Sequence, residues 1–478
     1  MHQNIERVAI DLFQEWHGKE PDSIVALPPS GSNRLYFRIF FGNETCIAAI
    51  NPDVRENKAF IYLCQHFHDL GLPVPKILAE DKEDICYLQS DLGDKTLFSL
   101  LPHDPAVTKF RPEILDVYKK VLEVLPEFQV RAAKNLDWAV CYPRHAFDKQ
   151  SMMWDLNYFK YYFLKTFDVA FDEQKLEDDF QTFTNRLLSA PCEYFLYRDF
   201  QSRNIMVVDG NPFFIDFQGG RRGALQYDIA SLLFDAKASI PFQQREELLD
   251  HYISNISRFV KVSENDFRHH YYNFVFIRLF QALGAYGFRG GVERKTLFLQ
   301  SIPYALRNIK WLADKDLFPK FTPHLAKVLE QLAARAPENI MPRNKEGLTV
   351  QVNSFSYKRG IPLDDSGNGG GFVFDCRAMP NPGRIDQYKT LSGLDQPVID
   401  FLKNEESVDS FLENAKNLTK FSIENYLQRG FTNLTIGFGC TGGQHRSVFC
   451  AEHLSKFIAE NFPVKVEVNH SEKKNWPK

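Results

Sequence analysis

The sequence predicts an α+β chain in two parts: a larger region of short strands followed by many helices, then a small α/β module. Three observations lead there. Apolar residues recur at helical spacing through Ile114, Leu115, Tyr118, Val121, Leu122 and Leu125, and again through Leu248, Leu249, Tyr252, Ile253, Ile256 and Phe259. The polar, proline-containing run APENIMPRNKEG at 336–347 interrupts the chain. Beyond it, apolar strands, glycine-rich loops and helical stretches alternate. With 478 residues, 44% of them hydrophobic and 25% charged, the chain has the apolar surface for several cores and is not disordered as a whole.

In chain order, residues 1–90 begin with an amphipathic helix carrying Ile5, Val8, Ala9, Leu12, Phe13 and Trp16 on one face and continue into short apolar strands. Residues 91–335 read as mainly helical, 336–347 as a linker, and 348–478 as the second module, with SGNGGG at 366–371 as a loop tip. The charge balance is 57 Lys plus Arg against 61 Asp plus Glu, so no overall basic field is available for nucleic acid or an anionic membrane. The eight cysteines form no C-x-x-C pair and no zinc-spaced cluster, which suits reduced thiols. No stretch approaches 18 apolar residues, and Glu6, Arg7 and Asp11 interrupt the start where a signal peptide needs its apolar run. The expectation is a cytoplasmic protein without membrane contact.

The segment from Tyr194 to Gln218 carries the chemistry. Two apolar runs flank Asp209-Gly210-Asn211, a hairpin signal. A three-residue loop there pairs Val208 with Pro212 and brings Asn204 opposite Asp216. Asp199, five residues before Asn204, can project toward the same point. Hard oxygen ligands converging in this way suit Mg²⁺ beside phosphate. Asp199 with Asn204 reproduces the D-x-x-x-x-N spacing of a kinase catalytic loop, and Asp216-Phe217 the start of the metal-binding D-F-G segment. In that arrangement Asp199 is the catalytic base, and Asn204 and Asp216 hold the metal.

These motifs resemble those of the aminoglycoside phosphotransferase-like kinases, as do GLPVPKIL at 71–78, YLQSDLGDKTL at 87–97 and QYDIASLLFDA at 226–236. The resemblance implies a bilobal protein-kinase-like fold, with residues 1–90 as the small lobe and 91–335 as the helical lobe. It also implies ATP and Mg²⁺ as cofactors, adenine held near Gln89 to Asp91, and Tyr197, Arg198 and Asp228 as supports of the catalytic loop. Tyr197 stands where the family usually has His. The pattern looks most like the branch that phosphorylates the anomeric hydroxyl of N-acetylmuramate and N-acetylglucosamine in cell-wall recycling, which implies a sugar acceptor. Ser30, Gly31, Ser32 and Asn33 form a turn suited to approach phosphates. The strand Thr45–Ile50 lacks the lysine that protein kinases use there, and Arg38 is the expected substitute, ahead of Lys58. Arg221, Arg222 and Asp235 complete the candidate site. The competing readings are a choline or aminoglycoside kinase and a non-catalytic nucleotide-binding regulator.

In the second module, Leu434 to Phe438 reads as a strand, Gly439 to His445 as a tight loop and Ser447 to Glu460 as a helix. Loop amides and the helix start make an anion site from Cys440, Thr441, Gly442, Gly443, His445, Arg446 and Ser447. Cys440 to Arg446 also has the C-x₅-R spacing of cysteine phosphatases, with Asp375 the one nearby acid. GFVFDCRAMPNPG at 371–383 and LTIGFGCTGGQHRSV at 434–448 resemble the C-terminal domain of RapZ-type proteins. That likeness implies sensing of an amino-sugar phosphate and a link to RNA. Lysines and arginines in 348–478 are matched by as many acids, so a sugar-phosphate ligand is expected over RNA. No G-x-x-x-x-G-K-[ST] motif of the RapZ nucleotide module occurs.

Overall fold

The computed structural model describes residues 2–28, 34–102, 107–293, 295–337, 347–362, 371–429 and 431–477. Ser30, Gly31, Ser32 and Asn33, most of the linker at 336–347 and most of the glycine run at 366–371 therefore lie outside the described residues. The backbone divides into two compact units, Met1–Ala285 with Ile302–Met341, and Tyr286–Ser301 with Pro342–Lys478. The segment Tyr286–Ser301, read from sequence as part of the helical lobe, groups with the second unit.

The first unit opens with helix α1 (His2–His17), whose Ala9, Leu12 and Phe13 are buried against an antiparallel sheet. That sheet joins β1 (Ser23–Ala26), β2 (Leu35–Phe41), β3 (Glu44–Ile50), β4 (Ile77–Glu80) and β5 (Cys86–Ser90) in the order β1-β2-β3-β5-β4. Alternation explains its two faces: Phe37, Ile39, Cys46, Ala48, Ile50, Cys86 and Leu88 form one core cluster with α1. Helix α2 (Val54–Asp69) starts where the Asp53 carboxylate caps the amides of Arg55 and Glu56.

The helical lobe holds α3 (Pro112–Pro126), α4 (Lys149–Phe159), α5 (Glu173–Leu187), α6 (Gln226–Leu233), α7 (Phe242–Ile256), α8 (Glu264–Tyr286), α9 (Ile302–Asp314) and α10 (Pro323–Ala334). Helix α3 begins with proline, which has no amide to leave unsatisfied at that end. It buries Ile114, Val117, Tyr118, Val121, Leu122 and Leu125, and α7 buries Leu248, Leu249, Tyr252, Ile253 and Ile256. Both helical stripes are therefore core. Two two-stranded antiparallel sheets, β6 (Tyr194–Leu196) with β9 (Arg221–Gly223) and the hairpin β7 (Ile205–Val208) with β8 (Asn211–Phe214), carry the kinase-spaced motifs.

The second unit is a parallel sheet of β10 (Thr349–Ser356), β11 (Gly371–Asp375), β12 (Asn433–Cys440) and β13 (Lys465–His470) in the order β11-β12-β10-β13. Helices α11 (Gln396–Lys403), α12 (Glu406–Gln428) and α13 (Arg446–Asn461) accompany it. Val350, Val352, Leu434, Ile436 and Phe438 form one core with Ala451, Leu454 and Ile458 of α13. Apolar and polar residues alternate along β10 and β13, which places the core-forming valines of β10 on one face of the sheet.

Candidate active site

The hairpin register differs from the sequence expectation by one residue. Val208 pairs with Asn211 and Val207 with Pro212, so the turn is the two residues Asp209 and Gly210, with φ of 49° and 74°. Two successive positive φ angles make the turn whose twist matches paired strands, and it shortens the loop by one residue. Along that ladder Asn204 faces Ile215, whose amide donates to the Asn204 carbonyl at 3.1 Å. The side chains of Asn204 and Asp216 meet all the same. Asn204 lies in a 3₁₀ turn, and Asp216 leaves the strand with a φ of 68°, which swings its carboxylate back toward the loop.

Asn204 Nδ2 donates to the Asp199 carbonyl at 2.9 Å and to Asp216 Oδ2 at 2.9 Å, leaving Oδ1 as its acceptor atom. Gln218 Nε2 donates to Asp216 Oδ1 at 2.7 Å. Burial pushes the Asp216 carboxyl up from its usual value, and the Asp199 charge adds to the push. Two carboxylates that repel each other beside an amide oxygen are a donor set a hard divalent cation would stabilise. The Asp199 side chain accepts no hydrogen bond among the described residues, so its oxygens are available to a substrate hydroxyl.

A buried acid holds the catalytic loop. Asp228 of α6 accepts from the amides of Tyr197 at 2.9 Å and Arg198 at 3.1 Å, and from Gln129 Nε2 at 3.2 Å. Its burial raises its pKa to about 7, against the pull of those same donors. Arg198, at a φ of 83°, points away from the cleft and binds both oxygens of Asp155 at 2.7 and 2.8 Å. Tyr197, which stands where the resembling family usually has His, donates to the Ile215 carbonyl at 2.6 Å and ties its loop to the segment of Asp216. Phe217 stacks on Phe60 of α2 at 5.0 Å and meets Tyr197 edge-on at 5.9 Å. Asp235 accepts from Ser202 at 2.7 Å, a further tie to the loop. Arg221 is buried, and Arg222 lies over the Trp138 ring at 4.8 Å.

On the nucleotide side Arg38 does not fill the role of the missing lysine. Its guanidinium spans Asp91 at 2.6 and 3.2 Å and Asp94 at 2.8 Å, so its charge is spent on the segment after β5, the hinge between the strand-rich and helical lobes. Lys58 pairs with Asp84 at 3.0 Å. Gln89 sits on β5, buried and paired with Ile47 of β3, beside that hinge. Sequence reasoning passed over Arg34, the residue that follows Asn33 in the chain. Arg34 is buried, lies 3.4 Å from Glu56 on α2, and its charge acts on Asp216 to lower that acid's pKa. The signal was present: an arginine directly after the candidate phosphate turn.

In the second unit the loop after β12 gathers Cys440, Thr441, Gly442, Gly443, His445, Arg446 and Ser447. Cys440 Sγ lies 3.1 Å from Ser447 Oγ and accepts from the Gly443 amide at 3.2 Å. Burial opposes thiolate formation, but the Ser447 hydroxyl and the amides of Ser447, Gly443 and Gly442 outweigh it and lower the Cys440 pKa. Thr441 accepts from Ser356 through its carbonyl at 2.7 Å. Arg446 and His445 depart from expectation. Arg446 Nη1 donates to the carbonyls of Arg377 and Met379, both at 2.9 Å, and His445 Nε2 lies 2.9 Å from the Tyr388 carbonyl. Asp375, half-exposed, is paired with Arg377 at 2.6 Å, which holds its carboxyl below the usual value and disfavours it as a proton donor for cysteine-phosphatase chemistry.

Residues 24–259 match the family model described as phosphotransferase enzyme family, and residues 348–474 match the RapZ C-terminal domain. The chain joins a phosphotransferase-family domain to a RapZ C-terminal domain. The phosphotransferase domain has the kinase-like fold of its family, and the RapZ domain is the parallel α/β unit. Curated relatives include a nucleotide-binding protein of Thermosipho melanesiensis, 42% identical over 128 residues, which are 27% of this chain and 44% of that protein. Another, from Staphylococcus epidermidis, is 36% identical over 141 residues, 30% of this chain and 45% of that protein. The chain thus spans less than half the length of these relatives. Solved structures similar to it include choline kinase from Cryptosporidium parvum Iowa II, with a TM-score of 0.46 and 13% identity over 69% of this chain and 100% of that one. Spectinomycin phosphotransferase APH(9)-Ia has a TM-score of 0.43 and 10% identity over 68% and 98%. It is the two family matches that carry the assignment. Among the described residues no helix is long and apolar enough to cross a membrane.

Proposed function

We propose that the phosphotransferase domain moves the γ-phosphoryl group of ATP to the anomeric hydroxyl of an N-acetylated amino sugar, N-acetylmuramate or N-acetylglucosamine, in cytoplasmic cell-wall recycling. One observation carries the kinase reading: Asn204 is bonded both to the Asp199 carbonyl and to the Asp216 carboxylate, so base and metal ligands form a single assembly. Asp199 takes the proton of the attacking hydroxyl as the new P–O bond forms and the bond to ADP breaks. Asn204 Oδ1 and Asp216 would hold Mg²⁺, which when bound neutralises charge on the phosphates. Arg34 is the phosphate partner we assign in place of the absent strand lysine, with Glu56 orienting it. The choice of a sugar rests on the resemblance that the segments 71–78, 87–97 and 226–236 carry. For the RapZ domain we propose an amino-sugar phosphate at the Cys440–Ser447 loop, since its balanced charge disfavours RNA.

The test incubates the chain with ATP, Mg²⁺ and either sugar and follows phosphorus NMR. A new anomeric phosphate is expected from the wild type. Asp199→Asn should lower kcat by about 10²–10⁴, roughly 3–5 kcal/mol of barrier, with an unchanged circular dichroism spectrum. Absence of any phosphorylated sugar while ATP binds would refute the sugar assignment.

A further inference from the structure

The phosphotransferase unit holds a second polar cavity, away from the Asp199 cleft, that its proposed reaction does not use. Its volume is about 160 Å³, well above the roughly 10–15 Å³ one water needs. The segment after α6 and the start of α7 form one wall, α9 another, and Thr108 lies at its exposed rim. Arg245 of α7 lines it at 3% exposure.

The Arg245 guanidinium is anchored but not neutralised. Its Nε donates to the Ile240 carbonyl at 2.7 Å and Nη1 to Asn308 Oδ1 at 2.9 Å, and the group lies over the rings of Phe234 and Phe242 at 4.7 and 4.4 Å. Among the described residues, Nη2 makes no hydrogen bond and no carboxylate comes within ion-pair distance of Arg245. The acid whose field reaches it, Asp235, is bonded to Ser202. No Asp or Glu is among the described residues lining the cavity, whereas Arg307 is. Burial, reinforced by the like charge of Arg307, depresses the Arg245 pKa to about 9. In the adjoining hollow, which shares Thr108 and Gln243, Gln244 turns a buried Nε2 that also has no acceptor among the described residues.

A buried cation without a counter-ion is costly unless something pairs with it. Here the fold fixes that cation by two hydrogen bonds and two rings, and sets it in the wall of a space of molecular size. We propose that this cavity binds a small oxyanion, the phosphate or carboxylate group of a metabolite, through Arg245. Arginine suits the task because its planar fork pairs with two oxygens at once. The wall residue Ala236 directly follows Asp235, whose carboxylate holds Ser202 in the catalytic loop, so the site backs onto the loop that carries Asp199.

The test is equilibrium dialysis of the full chain against labelled inorganic phosphate, counting equivalents bound per chain. Arg245→Gln should lose one equivalent relative to wild type. Thr108→Trp, at an exposed rim position where folding is not at stake, should lose the same equivalent by closing the mouth. Excess acetate should displace it if the site takes carboxylates, and leave it in place if the site is selective for phosphate. Thr108→Trp and folded Arg245→Gln binding as much phosphate as the wild type would overturn the proposal. If Arg245→Gln does not fold, Thr108→Trp decides alone.

Discussion

Arg34 and Asp228 show how single side chains set the terms for the cleft. Arg34, proposed above to stand in for the absent strand lysine, lies directly before β2 with Glu56 3.4 Å away, and its charge acts on Asp216. Arg34→Met should raise KM for ATP by at least tenfold and leave the acceptor KM within about twofold. Initial-rate kinetics with both substrates varied separate this from a general loss of folding, which would move both constants. Asp228 makes a statement about pH. Its pKa rises from 3.8 unfolded to about 7 folded, so between those values the folded protein keeps a proton that the unfolded chain releases. Its contribution to stability is therefore full below pH 4, falls as pH rises, and is flat above about 7. Urea titrations from pH 4 to 8 should lose part of this slope in Asp228→Asn, alongside an overall drop in stability because an amide presents a donor to backbone N–H groups.

At the scale of elements, the β7–β8 hairpin decides whether Asn204 and Asp216 meet. Gly210 has a φ of 74°, and nothing lies within 4 Å of the position a Cβ would take, so the cost of a side chain there is backbone strain alone. Gly210→Val should destabilise the protein by about 1–2 kcal/mol in urea unfolding. The sequence made the hairpin, both flanking strands and the two long helical stripes legible, because a turn dipeptide and apolar periodicity are local properties. The register was not legible: Asp209-Gly210-Asn211 is compatible with a two- or a three-residue loop, and local composition does not choose. Nor was the fate of Arg38, because its partners Asp91 and Asp94 lie more than fifty residues away. Spacing alone pointed to Asp199, Asn204 and Asp216, since a catalytic loop is itself short; the place of Arg34 after Asn33 was a local signal, but its neighbour Glu56 on α2 was visible only in the fold.

At the scale of the whole molecule, a domain proposed to make a sugar phosphate is joined in one chain to a domain proposed to bind one, which predicts that turnover responds to amino-sugar phosphates through the second domain. The two sites can be separated by substitution. In the RapZ domain Gly443 has a φ of 67°, and a Cβ there would lie 2.6 Å from Glu472 Cγ, 3.0 Å from the Ser356 amide and 3.1 Å from the Phe355 carbonyl carbon. Two of those neighbours are backbone, so the loop itself must shift, and with it the amide that donates to Cys440 Sγ. Gly443→Ala should therefore weaken binding of N-acetylglucosamine 1-phosphate by at least tenfold in calorimetry, and remove the response of phosphotransfer to that compound when it is added to an initial-rate assay. Asp199→Asn should bind it as the wild type does, because that substitution touches only the phosphotransferase cleft. If Gly443→Ala loses the binding and turnover still responds as before, the response is product competition at the cleft, and the two domains act independently.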